Sequence, residues 1–252
     1  MPATRRNVRL TAAAALLALA VPVLAGCGME TTAPATARGD AKGEPAPGTT
    51  DCEKVKCIAL TFDSSPGKKT PQLLDYLKKE KVPATFFVMG RNHLTKWPEV
   101  VKRFSDEGHE VANHTWTHPR LDKLKKSEIR EELSRTNVEL EKITGRKPTL
   151  MRPPQGRIND DVTAVSKELG LAQILWNATA KDYSTNDSAL IESRILKQAK
   201  KDGIILLHDI YDGTVPAVPG IVTELKKRGY TFVTVSQLLA PAKANPGEIY
   251  RP

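Results

Sequence analysis

The feature that most constrains this chain is a strict alternation that begins near residue 57. Short apolar runs, "CIALTF" (57–62), "ATFFVM" (84–89), "EVANH" (110–114), "TLMR" (149–152), "AQILWN" (172–177), "GIILLHD" (203–209) and "YTFVTV" (230–235), are separated by stretches with helical apolar spacing. Near-continuous apolar runs suit strands buried on both faces, and parallel strands need crossover helices of this length. Stretches such as "KSEIREELSRTNVELEKITG" and "DSALIESRILKQAKKDG" carry Ser, Asp or Pro near their starts and Gly just past their ends, as helix caps do. The expectation is an α/β fold in which roughly seven strand–helix units close into an incomplete TIM-like barrel, with an open doubly wound sheet as the alternative. No G-x-G-x-x-G or P-loop follows any of the runs, which argues against nucleotide binding.

Ahead of that alternation the chain changes character twice. Arg5, Arg6 and Arg9 precede "LTAAAALLALAVPVL" (10–24), an apolar stretch too short to span a bilayer comfortably, and "LAGC" then leads into Cys27. This resembles a bacterial lipobox, which implies a signal peptide over 1–26, cleavage before Cys27 and lipidation of its thiol. The expected product is an exported protein held at the cell membrane by lipid alone. Residues 27–50 are Ala, Pro, Thr, Gly and scattered charge without apolar periodicity, and read as a flexible tether. The folded domain is expected over 51–240, with a C-terminal tail over 241–252. Cys52 and Cys57, close together in an exported chain, point to a disulfide rather than two free thiols. The net charge is +9, of which Arg5, Arg6 and Arg9 supply three, leaving +6 after the leader. This modest excess is spread along helices and is not interleaved with aromatics, so nucleic acid is a poor partner and the anionic polymers of a cell envelope a better one.

In either architecture reactive groups collect at the carboxyl ends of the strands. The polar residues there are Asp63, His114, Arg152, Asn177 and His208. In "NHTWTH", His114 and His118 are four apart; on one helical turn they would share a face and reach one ion. His93 and His109 lack such a setting and read as structural or exposed. Arg152 opens "RPPQG" and most simply orients a carboxylate, with Asp63 the candidate; the two prolines leave the amides of Gln155 and Gly156 free for a ligand. His208 is not spaced to join the first two histidines and reads as an acid–base group. Asp182 could hold its imidazole protonated, or could be only a cap.

Taken in order, "TFDSSPG", "HTWTH", "RPPQG", "WNATAKDY" and "IILLHD" resemble the five motifs of the polysaccharide deacetylases, carbohydrate esterase family 4, over about Cys57 to Leu239. The resemblance implies a distorted (β/α)7 barrel, the NodB-homology domain. It further implies a divalent metal, Zn²⁺ or Co²⁺, and removal of N-acetyl groups from an amino-sugar polymer, or of O-acetyl groups. By motif, Asp63 is the general base, His114 and His118 the metal ligands, Arg152 the orienter of Asp63, and Asp182 the tuner of the acid His208. Gln155 contributes its amide to the oxyanion hole, and Leu206 lines the acetyl pocket. The chain also departs from the pattern: Ser64 stands where a second, metal-binding Asp is usual, Thr179 where an Asp is usual, Tyr183 where a Trp is usual, and Gln155 where an aromatic is usual. Metal binding weaker than the family norm is expected. The resulting reading is a monomeric deacetylase of acetylated cell-wall glycan, peptidoglycan above all, with a catalytically silent glycan-binding barrel as its rival.

Overall fold

The structure is a computed structural model that describes Met1, residues 29–46 and residues 48–252. Most of the signal segment and Cys27 lie outside the described residues. The elements in chain order are α1 (Pro34–Asp40), β1 (Lys56–Ser65), α2 (Thr70–Glu80), β2 (Thr85–Val88), α3 (Pro98–Asp106), β3 (Glu110–Asn113), α4 (Lys126–Thr144), β4 (Leu150–Met151), α5 (Asp160–Glu168), β5 (Ala172–Ile174), β6 (Ala178–Thr179), α6 (Ser188–Gln198), β7 (Gly203–Leu207), α7 (Thr214–Lys227), β8 (Tyr230–Val233), α8 (Val235–Leu239) and β9 (Ile249–Tyr250). Local chemistry sets several boundaries. Asn159 and Asp187 cap α5 and α6 by accepting from the amides of Val162 and Leu190, and Gly145 ends α4 with a left-handed φ of 71°.

The strands are parallel and lie in the order β6-β7-β1-β2-β3-β4-β5-β9. Along β1, Lys56–Ala59 pair with β8 and the stretch beyond Thr61 pairs with β2. The sheet curls without closing, since β6 and β9 occupy its two ends. Alternation along β1 sends Ile58, Leu60 and Phe62 outward to Leu73, Leu77, Phe104 and Val222 on the helices, while Ala59 packs inward with Phe87, Ala112 and Ile174. Thr61 and Asp63 follow Ala59 on that inward face. All strand carboxyl ends therefore meet at one rim.

Three expectations need correction. "AQILWN" is not one strand: β5 stops at Ile174 and the chain resumes as β6 at the far end of the sheet. Asn177 stands between them, its N–H donating to the Ile204 carbonyl while its side chain accepts from Ile204 N–H and donates to the Gln198 carbonyl. The C-terminal tail supplies β9, with Ile249 and Tyr250 buried. Residues 32–41 are also no free tether. Thr32 bridges to Tyr250, α1 follows, and Arg38 is buried, its guanidinium bonded to the Leu238 carbonyl and paired with Glu53 at 2.8 Å and Asp202 at 3.0 Å. Backbone ladder bonds and one buried cation dock this arm, and neither leaves an apolar period in the sequence. Cys52 and Cys57, both buried, are joined by a disulfide where the chain enters β1.

Candidate active site

Asp63 ends the inward face of β1 and is 3% exposed. Arg152, from the end of β4 and fully buried, donates Nη1 to Asp63 Oδ1 at 2.6 Å and to Thr61 Oγ1 at 2.8 Å, while its Nε donates to the Ile174 carbonyl. The guanidinium also lies 4.0 Å over the Phe87 ring. It is fixed from four sides, so the carboxylate it holds has one orientation.

The second oxygen of Asp63 faces His114, whose Nε2 is 3.7 Å from Oδ2. His114 Nδ1 lies 2.8 Å from the Arg152 carbonyl, an acceptor only, so Nδ1 carries the hydrogen and Nε2 presents a lone pair. Burial pushes the His114 pKa down to about 4 against the pull of Asp63, and burial likewise lowers that of His118. The His114 lone pair and the Asp63 Oδ2 atom thus face each other across 3.7 Å. The His118 ring stands 4.9 Å from that of His114. Such a donor set fits a divalent cation, with two imidazoles and an adjacent carboxylate. Among the described residues, however, no three His, Cys, Asp or Glu side chains converge closely enough to form a complete metal cage.

The residues 114–118 are not the helical turn expected from their spacing. They form an irregular loop in which Thr115 and His118 have φ of 68° and 62°. Glu132 of α4 shapes it, accepting from the amides of Trp116 and Thr117 and from the Thr117 hydroxyl, while Asn113 accepts from Thr115 N–H. Ser64 is the extra residue of a bulge between Asp63 and Ser65 and has a left-handed φ of 58°. Bulges of this kind re-aim side chains beside active sites.

Across the rim, His208 follows β7. Asp182 Oδ1 sits 2.9 Å from His208 Nδ1, and Asp182 Oδ2 accepts from the His208 amide and the Thr214 hydroxyl. Burial opposes protonation of His208, but the hydrogen bond and charge of Asp182, with Asp63 and Asp209 adding to it, outweigh burial and raise its pKa. Tyr183, 59% exposed, and Tyr211 stand 6.3 and 5.4 Å from the His208 ring. Leu206 lines β7 beside Thr179 and Thr61. Gln155 is exposed with a φ of 58°, whereas the Gly156 amide, expected to be free, donates to the Pro153 carbonyl. His109 is buried away from the site against Ala84 and Phe86, and His93 Nδ1 donates to the Pro66 carbonyl. Sequence reasoning passed over Thr61, Glu132 and Asp209. Asp209, beside His208 in "LLHD", was the one with a visible signal.

A sequence profile for the family described as polysaccharide deacetylase matches residues 50–174. The peptidoglycan-N-acetylmuramic acid deacetylase PdaC of Bacillus subtilis is 42% identical over 184 residues, covering 73% of this chain and 38% of its own length. This chain thus spans under two fifths of that relative. A peptidoglycan-N-acetylglucosamine deacetylase of Bacillus cereus is 39% identical over 73% of this chain and 88% of its own. Among solved structures, the T48 deacetylase with substrate superposes with a TM-score of 0.76 at 39% identity, over 80% of this chain and 99% of that one. A carbohydrate esterase family 4 pseudoenzyme of Bacillus anthracis gives a TM-score of 0.70 at 28% identity, over 78% and 69%.

Proposed function

Because this chain belongs to the polysaccharide deacetylase family, we propose that it is a metal-dependent hydrolase removing N-acetyl groups from an acetylated cell-wall glycan, with peptidoglycan as the substrate. The observation that carries the reading is the opposition of His114 Nε2 and Asp63 Oδ2 at 3.7 Å, with His208 bonded to Asp182 across the rim, where that partner raises the imidazole pKa. His114 and His118 would hold a divalent ion, Zn²⁺ or Co²⁺, which when bound polarises the acetyl carbonyl and acidifies water. Asp63, oriented by the Arg152 Nη1 bond, takes the proton of the attacking water as its oxygen bonds to the acetyl carbon. The Gln155 amide supports the developing oxyanion and Leu206 packs against the acetyl methyl. His208, whose Nδ1–H is committed to Asp182, delivers a proton from Nε2 to the nitrogen as the C–N bond breaks, giving acetate and a free amine. Tyr183 offers a face for the sugar. An open groove of about 530 Å³ lined by Arg91, Trp116, Thr117 and Glu131 adjoins the His118 loop and gives the polymer room to continue.

We further propose that the chain is exported and anchored through lipidated Cys27, works as a monomer and approaches the membrane only through that lipid. Ser64 supports a second reading, a barrel that binds glycan with weak or no turnover, because it replaces the anionic ligand of the family pattern. Incubating the protein with N-acetylglucosamine oligomers, O-acetylated glycan or peptidoglycan at saturating Zn²⁺ or Co²⁺, and measuring acetate, separates the readings. Release from the N-acetylated polymers supports hydrolysis. Binding without acetate from any substrate leaves the silent barrel, and acetate from O-acetylated glycan alone assigns an esterase.

A further inference from the structure

Asp209 follows His208 in the chain, yet its side chain turns away from the rim and into the loop after β1. It is wholly buried. Its Oδ1 accepts from the Ser65 hydroxyl at 2.7 Å and its Oδ2 from the Thr70 hydroxyl at 2.5 Å. Thr70 Oγ1 accepts in turn from the Gly67 amide at 2.7 Å, so one carboxylate fastens both ends of the 65–70 loop. Contact between the two loops is close: a Cβ on Gly67 would lie 2.8 Å from Ile210 Cγ2 and 3.1 Å from its Cα. On its far side the loop is tied by the Pro66 carbonyl to His93 Nδ1 at 2.9 Å. Directly before Ser65 stand Ser64 and Asp63, and directly before Asp209 stands His208.

We propose that Asp209 is a positioning residue for the deacetylation: it brackets the loop after β1 to the loop after β7, setting the separation between Asp63 and His208. The inference rests on the reading above. In that reaction the two groups act on opposite sides of one acetamide, Asp63 on the water and His208 on the nitrogen, and neither is joined to the other by any bond of its own. Their spacing is therefore carried by the surrounding backbone. Residues 208 and 209 share one turn, so a carboxylate that clamps Ser65 from position 209 ties the acid to the base through only a few rigid bonds. A carboxylate suits the task because it accepts two hydroxyl bonds and needs no donor. Displacing a catalytic group by about 1 Å can lower turnover by roughly a hundredfold with little change in ground-state binding.

The test is Asp209→Asn, with Ser65→Ala as a second variant that removes one arm of the bracket and leaves the buried charge one partner. Both are measured as folded, Zn²⁺-loaded protein, with Zn²⁺ affinity titrated alongside kcat and KM on one acetylated glycan. Asp209→Asn should lower kcat by about tenfold to a hundredfold, with KM and the Zn²⁺ dissociation constant within about twofold of the parent. Ser65→Ala should fall between the two. Parental kcat in folded Asp209→Asn overturns the inference. So does a loss accounted for by weaker Zn²⁺ binding or by a smaller folded fraction, since a merely structural carboxylate would act that way. A parent without turnover on any acetylated glycan removes the deacetylase reading, and this inference with it, whereas an active parent beside fully active variants removes the inference alone.

Discussion

At the level of single residues, the site divides into groups whose roles variants can separate. Asp63→Asn keeps the shape and the bond to Arg152 but cannot take a proton, so turnover should drop by at least about a hundredfold while Zn²⁺ content, measured by metal analysis, stays unchanged. Falling metal content would instead make Asp63 the anionic ligand. Ser64 already adopts a left-handed backbone, which Asp tolerates well. Ser64→Asp should therefore fold normally and tighten Zn²⁺ binding at least about tenfold, or roughly 1.4 kcal/mol, read by titration at one pH. An unchanged constant would mean that position 64 does not face the ion. In the proposed reaction His208 is the acid and must carry a proton, and a raised pKa extends its protonated form to higher pH. Asp182→Asn removes the charge that raises it and leaves only a weaker neutral bond, so the alkaline limb of kcat/KM should move to lower pH, with activity lost more at pH 8 than at pH 6. The same shift bears on stability: a raised histidine pKa contributes below the unfolded value of about 6.5 and is lost as pH rises through the folded one.

Among elements, the parallel strands made most of the site legible. Because every strand points its carboxyl end at one rim, Asp63, His114, Arg152 and His208 could be placed together from apolar runs alone, before any contact was known. The connections between them could not. His114 and His118 were read as a helical pair from their spacing, but the loop is shaped by Glu132 and Asn113, and a side chain closing on a backbone sixteen residues away leaves no period to read. The break between β5 and β6 is hidden for the same reason, since Asn177 starts the new pairing with side-chain bonds to Ile204 and Gln198 that no apolar period marks. Glu132→Ala, by loosening the loop that carries His114 and His118, should therefore weaken Zn²⁺ binding by about 10-fold, the low end of the range for residues that support metal ligands. Glu132→Gln, which still accepts two bonds, should recover part of that affinity, and equal affinity in all three proteins would show that the loop holds its shape without α4.

For the whole molecule, the decisive contacts involve the two chain ends. Thr32 and β9 extend the sheet together, and Arg38 pairs with Asp202, which is itself mostly buried. Arg38→Ala leaves that carboxylate without its cation, and breaking a buried pair in this way costs about 3 kcal/mol. Thermal unfolding should then fall by roughly 6–12 °C, at about 2–4 °C per kcal/mol for a chain of this size. A midpoint within about 2 °C of the parent would show that the arm contributes nothing to stability. Composition alone marks residues 27–50 as poor in apolar periodicity, and it is silent on the hydrogen bonds and charge that dock residues 32–41.

The docked arm also bears on geometry at the cell surface. If Cys27 carries the lipid, the leash from bilayer to fold is the five residues up to Thr32, at most about 18 Å when fully drawn out. A domain of this size has a radius of gyration near 17 Å and so a width above about 34 Å, which makes the leash shorter than the body it holds. The barrel would ride against the bilayer like a fixed-height scraper, its working depth set by its own girth. Only polymer lying within about one body width of the bilayer would then fall within its reach.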